Sequence, residues 1–72
     1  MIEGTLNKML SGSWAVCRSG KNPIEIKPGD AFRIEVDGIM RRTRMEFEDE
    51  RGYHSVDGYK LRGGLRAALV HH

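Results

Sequence analysis

The sequence predicts an all-β domain, a small barrel or curled antiparallel meander of five to seven short strands. Three observations predict it. Ala31-Phe32-Arg33-Ile34-Glu35-Val36 alternates strictly, with Phe32, Ile34 and Val36 on one face and charges on the other, the period-2 pattern of a half-buried strand. Asp37-Gly38 then separates this run from a second one, Ile39 to Glu48, and Asp-Gly between two such runs is a strong hairpin signal. Nine glycines stand against two prolines in 72 residues, a balance that suits many tight turns.

The elements follow in chain order. Ile2, Leu6, Met9 and Leu10 fit helical spacing, as do Leu65, Ala68 and Leu69 at the other end. Gly4 lies inside the first pattern, and Gly63-Gly64 keeps the second from extending backwards. Neither could exceed about two or three turns, too short to hold without tertiary support, so both ends are expected to pair as strands. Gly12 to Arg18 places Trp14 and Val16 on one face, and Ser19 to Pro23 reads as a loop. Ile24-Glu25-Ile26 is a short alternating run. Lys27-Pro28-Gly29-Asp30 has Pro second and Gly third, as a type II turn prefers. Across Asp37-Gly38 two registers are open. A two-residue turn sets Val36 opposite Ile39 and Ile34 opposite Arg41, whereas a bulged turn brings Met40 over Ile34; a one-residue slip reverses every face beyond it. Glu48 to Gly52 is a charged turn, Tyr53 to Val56 is strand-like, Asp57-Gly58 turns again, and Tyr59-Lys60-Leu61 is expected to continue as strand. A small sheet must close or cover its edges, hence the curl.

The order of short motifs resembles a known pattern. Gly4-x-Leu6 is followed by Gly12-x-Trp14-x-Val16, by Pro28-Gly29-Asp30 before Phe32-x-Ile34-x-Val36-x-Gly38, then by Thr43-Arg44-x-Glu46, Gly52-Tyr53 and Gly64-Leu65-Arg66. This resembles a family of small bacterial and phage-borne domains of unknown function, over nearly the whole chain. The resemblance implies an SH3-like β-barrel and carries neither an assigned activity nor established site residues. The chain departs from the pattern just after the hairpin turn, where Ile39-Met40 stands in place of a frequent aromatic; a surface built on that aromatic would differ here.

Bulk composition narrows the function classes. At 8.2 kDa the chain fits one domain over residues 1–72 and excludes a multidomain enzyme. A domain of this size buries only about 60% of the surface its unfolded chain exposes, so it folds on a compact core or through oligomerisation. The lone cysteine, Cys17, excludes an internal disulfide framework and a multi-cysteine zinc site. It also favours a reducing cytoplasm. No apolar run approaches the roughly 18 residues of a membrane span, and the first residues lack the pattern of a secretory leader; a cytoplasmic protein is expected. His71-His72 reads equally as native sequence or as the stub of a tag.

The formal charge is +2 and the pI about 9.0. Residues 1–40 hold five bases and five acids, and residues 41–72 hold seven bases and five acids. The excess therefore centres on Arg41, Arg42 and Arg44, with Arg33 on the partner strand. One reading makes these four a nucleic-acid surface, the guanidinium forks taking phosphates and Tyr53, Tyr59 and Trp14 offering stacking faces. The other makes them a solvated face neutralised by Glu46, Glu48, Asp49 and Glu50 through cross-strand pairs. The alternation of Trp14 with Val16 places the indole in the core rather than on a ligand platform. Cys17 and His54 lack a motif and an orienting third group, and nothing in the sequence builds a pocket for chemistry, so no enzyme activity and no cofactor are expected. The acidic run does not match a calcium loop and reads as solvated, and Gly63-Gly64 lacks the Lys-Ser/Thr of a phosphate loop. The sequence thus points to a non-catalytic interaction module with a protein or peptide partner, and as its rival to a weak nucleic-acid binder acting through the arginine-rich hairpin. Arg33, Arg41, Arg42, Arg44, Tyr53 and Tyr59 are the candidate contact residues, and no membrane partner is expected.

Overall fold

A computed structural model describes residues 1–70 of the chain; the question raised by His71 and His72 lies outside them. The described residues form seven strands and no helix: β1 (Ile2–Lys8), β2 (Trp14–Cys17), β3 (Ile24–Ile26), β4 (Ala31–Val36), β5 (Ile39–Glu48), β6 (Gly52–Ser55) and β7 (Arg66–Leu69). Every neighbouring pair is antiparallel, in the order β3-β2-β1-β7-β4-β5-β6. The sheet curls into a half-barrel around its inner face. Both chain ends pair as strands, with each other: Ile2 stands opposite Leu69 and Thr5 opposite Arg66.

Alternation builds the core. The inward positions carry Leu6 from β1, Trp14 and Val16 from β2, Ile26 from β3, Phe32 and Ile34 from β4, Met45 from β5, and Ala67 and Leu69 from β7. All are buried, and Trp14 keeps only 8% of its surface, so the indole is core. Lys8 Nζ lies 5.9 Å from the Trp14 ring centroid, over the ring, within cation–π range.

Turn chemistry fixes the register the sequence left open. Asp37 and Gly38 both have positive φ, 52° and 81°, the backbone of a two-residue type I′ turn. Val36 therefore faces Ile39, Ile34 faces Arg41 and Arg33 faces Arg42. The Lys27–Asp30 turn has the expected form, with Gly29 at φ 94° and the Asp30 N–H donating to the Lys27 carbonyl at 2.9 Å. It also grips β5, because Gly29 N–H donates to the Met45 carbonyl and Met45 N–H to the Asp30 carbonyl. At that point β5 changes partner: residues 39–44 pair with β4, and Met45 to Glu48 pair with β6.

One expected strand is absent. Tyr59-Lys60-Leu61 forms no ladder, because Ser55 turns the chain first. Gly58 N–H donates to the Ser55 carbonyl, and the Tyr59 N–H donates to Ser55 Oγ at 3.3 Å. The segment instead lays Tyr59, Leu61 and Leu65 against the core and reaches β7 through bonds to Leu6, whose N–H donates to the Leu65 carbonyl at 2.8 Å.

Gly4 sits at a close backbone approach, the tightest of the glycines. It pairs with Ala67, and a Cβ there would collide with the Cys17 carbonyl oxygen and lie 3.0 Å from Arg18 Cγ. Gly4→Ala is therefore expected to cost roughly 1–3 kcal/mol, as overpacking does, read as a lower urea midpoint. Trp14→Ala should cost about 3–5 kcal/mol; a variant whose melting temperature holds would place the indole at the surface.

Candidate binding face

Because pairing across β4–β5 is in two-residue register, the outward positions are set. Ala31 faces Arg44, Arg33 faces Arg42 and Glu35 faces Met40. Arg33, Arg42 and Arg44 thus share the outer face of one hairpin, with Arg42 and Arg44 exposed and Arg33 half-buried. Two like charges directly opposite across a ladder oppose pairing. Cross-strand carboxylates would relieve this, and they do not: among the described residues no carboxylate oxygen lies within 4.0 Å of any of the three guanidinium groups. Of the acidic run that could have neutralised them, Glu46 and Glu48 are engaged elsewhere.

That engagement begins two residues further along β5. Glu46 stands opposite His54, and Glu48 opposite Gly52. His54 Nε2 lies 3.0 Å from Glu46 Oε1 and 3.2 Å from Glu48 Oε1, and Arg51 Nη1 lies 3.4 Å from the same Glu48 oxygen. The outer face of β5 therefore runs from a basic half, Arg42 and Arg44, to an acidic half, Glu46 and Glu48.

Between the halves is a shallow depression of about 370 Å³ lined by Arg42, Thr43, Arg44, Glu46, Val56 and Asp57. A buried hydroxyl relay forms part of its wall. Ser55 Oγ receives the N–H groups of Asp57 and Tyr59 at 3.2 and 3.3 Å. With its lone pairs so used, the Ser55 hydroxyl donates to Thr43 Oγ1 at 2.8 Å, and Thr43 donates to Asp57 Oδ2 at 2.8 Å. The relay ties the residues after β6 to the middle of β5 and gives the depression a fixed edge.

The remaining candidate contact residues are placed elsewhere. Arg41 is exposed, but its register partner is the buried Ile34, so it projects from the opposite side of the hairpin to Arg42. Tyr53 pairs with Phe47, the rings 4.8 Å apart and tilted by 55°, and packs on the core as Tyr59 does. Tyr53, Tyr59 and Trp14 thus belong to the inner side, and among the described residues none of these rings stands beside the arginines on their own face. Cys17 on β2 and His54 on β6 are separated in sheet order by four strands, and both His54 ring nitrogens face other groups.

The sequence reading did not join His54 to Glu46 and Glu48. The signal was there in the charged turn: a return across residues 49–51 brings Glu46 and His54, eight apart, to facing positions. The face belongs to a curled, open all-β half-barrel. Comparison with known proteins returned no match, whether to a family model, a curated protein or a solved structure, and nothing in it bears on the resemblance drawn from the motifs.

Thr43→Val keeps the shape of the side chain and leaves the buried Ser55 hydroxyl without its acceptor. The expected loss is about 1–3 kcal/mol, read as a lower urea midpoint at unchanged slope.

Proposed function

We propose that the chain is a non-catalytic interaction module that takes an acidic segment of a protein partner on the outer face of the β4–β5 hairpin. The observation that carries this reading is Arg33 facing Arg42, with Arg44 beside them and no carboxylate partner among the described residues. Three guanidinium groups held against their own repulsion are poised for an anionic partner, and each can take a carboxylate through two parallel N–H donors. The face has the composition of a protein interface as well. It carries arginine and Met40, with Glu35 at its edge and no lysine, and arginine and methionine are enriched at such interfaces while lysine and glutamate are depleted. A lone half-buried thiol accords with a cytoplasmic setting. No helix of the described residues is long and apolar enough to cross a membrane.

Two features weigh against the nucleic-acid alternative. The stacking groups it requires, Tyr53 and Tyr59, pack on the inner side. A polyanion tracking β5 would also leave Arg44 and meet Glu46 within roughly 7 Å, two strand residues on. A short acidic segment ends before that boundary.

The test is fluorescence anisotropy with a labelled Glu/Asp-rich peptide, set beside labelled single-stranded and duplex DNA. The peptide is expected to bind at low salt, to weaken as salt rises, and to be lost in R42E/R44E while the melting temperature holds. R41E, altered on the other side, should retain binding. Binding of the DNA probes alone, falling steeply between about 50 and 200 mM salt, would replace this reading with the nucleic-acid one. No shift with any probe would reduce the face to a solvated surface.

A further inference from the structure

Three lone-pair donors converge outside β5 and β6. His54 Nδ1 lies 2.9 Å from the Gly52 carbonyl oxygen. A carbonyl oxygen only accepts, so Nδ1 carries the hydrogen, and in the neutral ring Nε2 presents its lone pair. That lone pair faces Glu46 Oε1 at 3.0 Å and Glu48 Oε1 at 3.2 Å, both acceptors only when ionised. Three electron pairs aimed at one point need a cation between them, either a proton on Nε2 or a metal ion.

We propose that Glu46, Glu48 and His54 form a site for a divalent transition-metal ion of the zinc type. Donor spacing supports it. Ligand atoms about 2.0–2.2 Å from zinc stand roughly 2.9–3.5 Å apart, from octahedral to tetrahedral arrangement. The two nitrogen-to-oxygen separations already fall in that range, and all three ligand atoms lie within 4.8 Å of one another. Rotation of half-exposed carboxylates supplies the remaining adjustment.

The surroundings supply a second support. A metal-bound histidine usually donates its other N–H to a carbonyl or carboxylate, which fixes the ring and raises its basicity. Gly52 provides that acceptor, and the His54 side chain is only 12% exposed while the two carboxylates are about half exposed. The ring is therefore held, and the oxygen ligands face the solvent from which an ion arrives. Three protein ligands leave at least one position for water. An imidazole ligand selects zinc, cobalt, nickel or copper over calcium and magnesium, which prefer an all-oxygen shell. Among the described residues the competing cation is Arg51, which holds Glu48 at 3.4 Å through an exposed pair, and such pairs contribute little.

The site is read by titrating zinc chloride into the full chain carrying H71A/H72A, so that the terminal histidines do not contribute, followed by calorimetry and by the ring nitrogen resonances of His54. One ion per chain is expected, moving the Nε2 resonance far more than Nδ1 and raising the melting temperature. E46Q/E48Q on the same background, altered only at exposed positions, should bind at least ~10-fold more weakly, since outer-shell changes alone cost 10–100-fold. The proposal is overturned by a parent that takes up no zinc near neutral pH, by equal affinity in E46Q/E48Q, or by an equal response to magnesium. The first two outcomes leave a histidine hydrogen-bonded within a carboxylate cluster, and the third leaves a diffuse acidic field.

Discussion

Ala67, Ala68 and Leu69 lie between two groups of strands that share no ladder of their own. On one side are β3, β2 and β1, and on the other β4, β5 and β6; β7 bonds to β1 through one edge and to β4 through the other. Neither group can bury its inner face alone, and the core draws on both. The small side chains at Ala67 and Ala68 and the bare backbone of Gly4 opposite Ala67 let the two groups curl toward each other. The closing contact joins residues more than sixty positions apart, Ile2 and Leu69. Loop closure of that length is entropically costly, and folds dominated by such pairings form slowly for their size.

The exposed hairpin inherits its geometry from this arrangement. Pairing with β7 fixes β4, the type I′ turn fixes β5 against β4, and the hydroxyl relay from Ser55 through Thr43 to Asp57 fixes the segment after β6 against β5. The arginines and the His54 cluster thus stand on strands rather than on loops, where a binding constellation is held more tightly. The cost of setting Arg33 opposite Arg42 falls on a hairpin whose other face carries Phe32 and Ile34, both fully buried. Burial of two such side chains, each worth about 1.5–3 kcal/mol, offsets the repulsion of one partly exposed like-charge pair.

Local signals were legible in the sequence and non-local ones were not. Alternation from Ala31 to Val36, the Asp37-Gly38 turn and the Lys27–Asp30 turn are written within a few residues each, and the strands form where these signals place them. The pairing of both chain ends followed from a weaker argument, that neither could make a stable helix. The position of β7 between β1 and β4 has no local signature, because it depends on which strands still have free edges when the last one arrives. The faces of the candidate site stayed open in the sequence because they hang on the hairpin register, which the Asp37-Gly38 turn geometry fixes. Arg41, Arg42 and Arg44 are neighbours in sequence, yet strand periodicity sends Arg41 to the far side. Tyr53 and Tyr59 carry polar tips, yet their rings were needed over an otherwise open core. The residue overlooked, His54, joined Glu46 and Glu48 only once the turn after β5 had a register.

The length of β5 has an electrical consequence. Arg42 and Glu46 lie four residues apart on one extended face, roughly 13 Å. At physiological ionic strength the Debye length is about 8 Å, so Arg42 is largely screened from Glu46 and Glu48, and only Arg44 and Glu46, about 7 Å apart at the boundary, still feel each other. An approaching molecule meets a positive surface at one end of β5 and a negative one at the other. The formal charge of +2 describes a sum that no partner at contact distance experiences. Only in dilute salt, where the screening length exceeds the strand, do the halves merge into a single weak dipole.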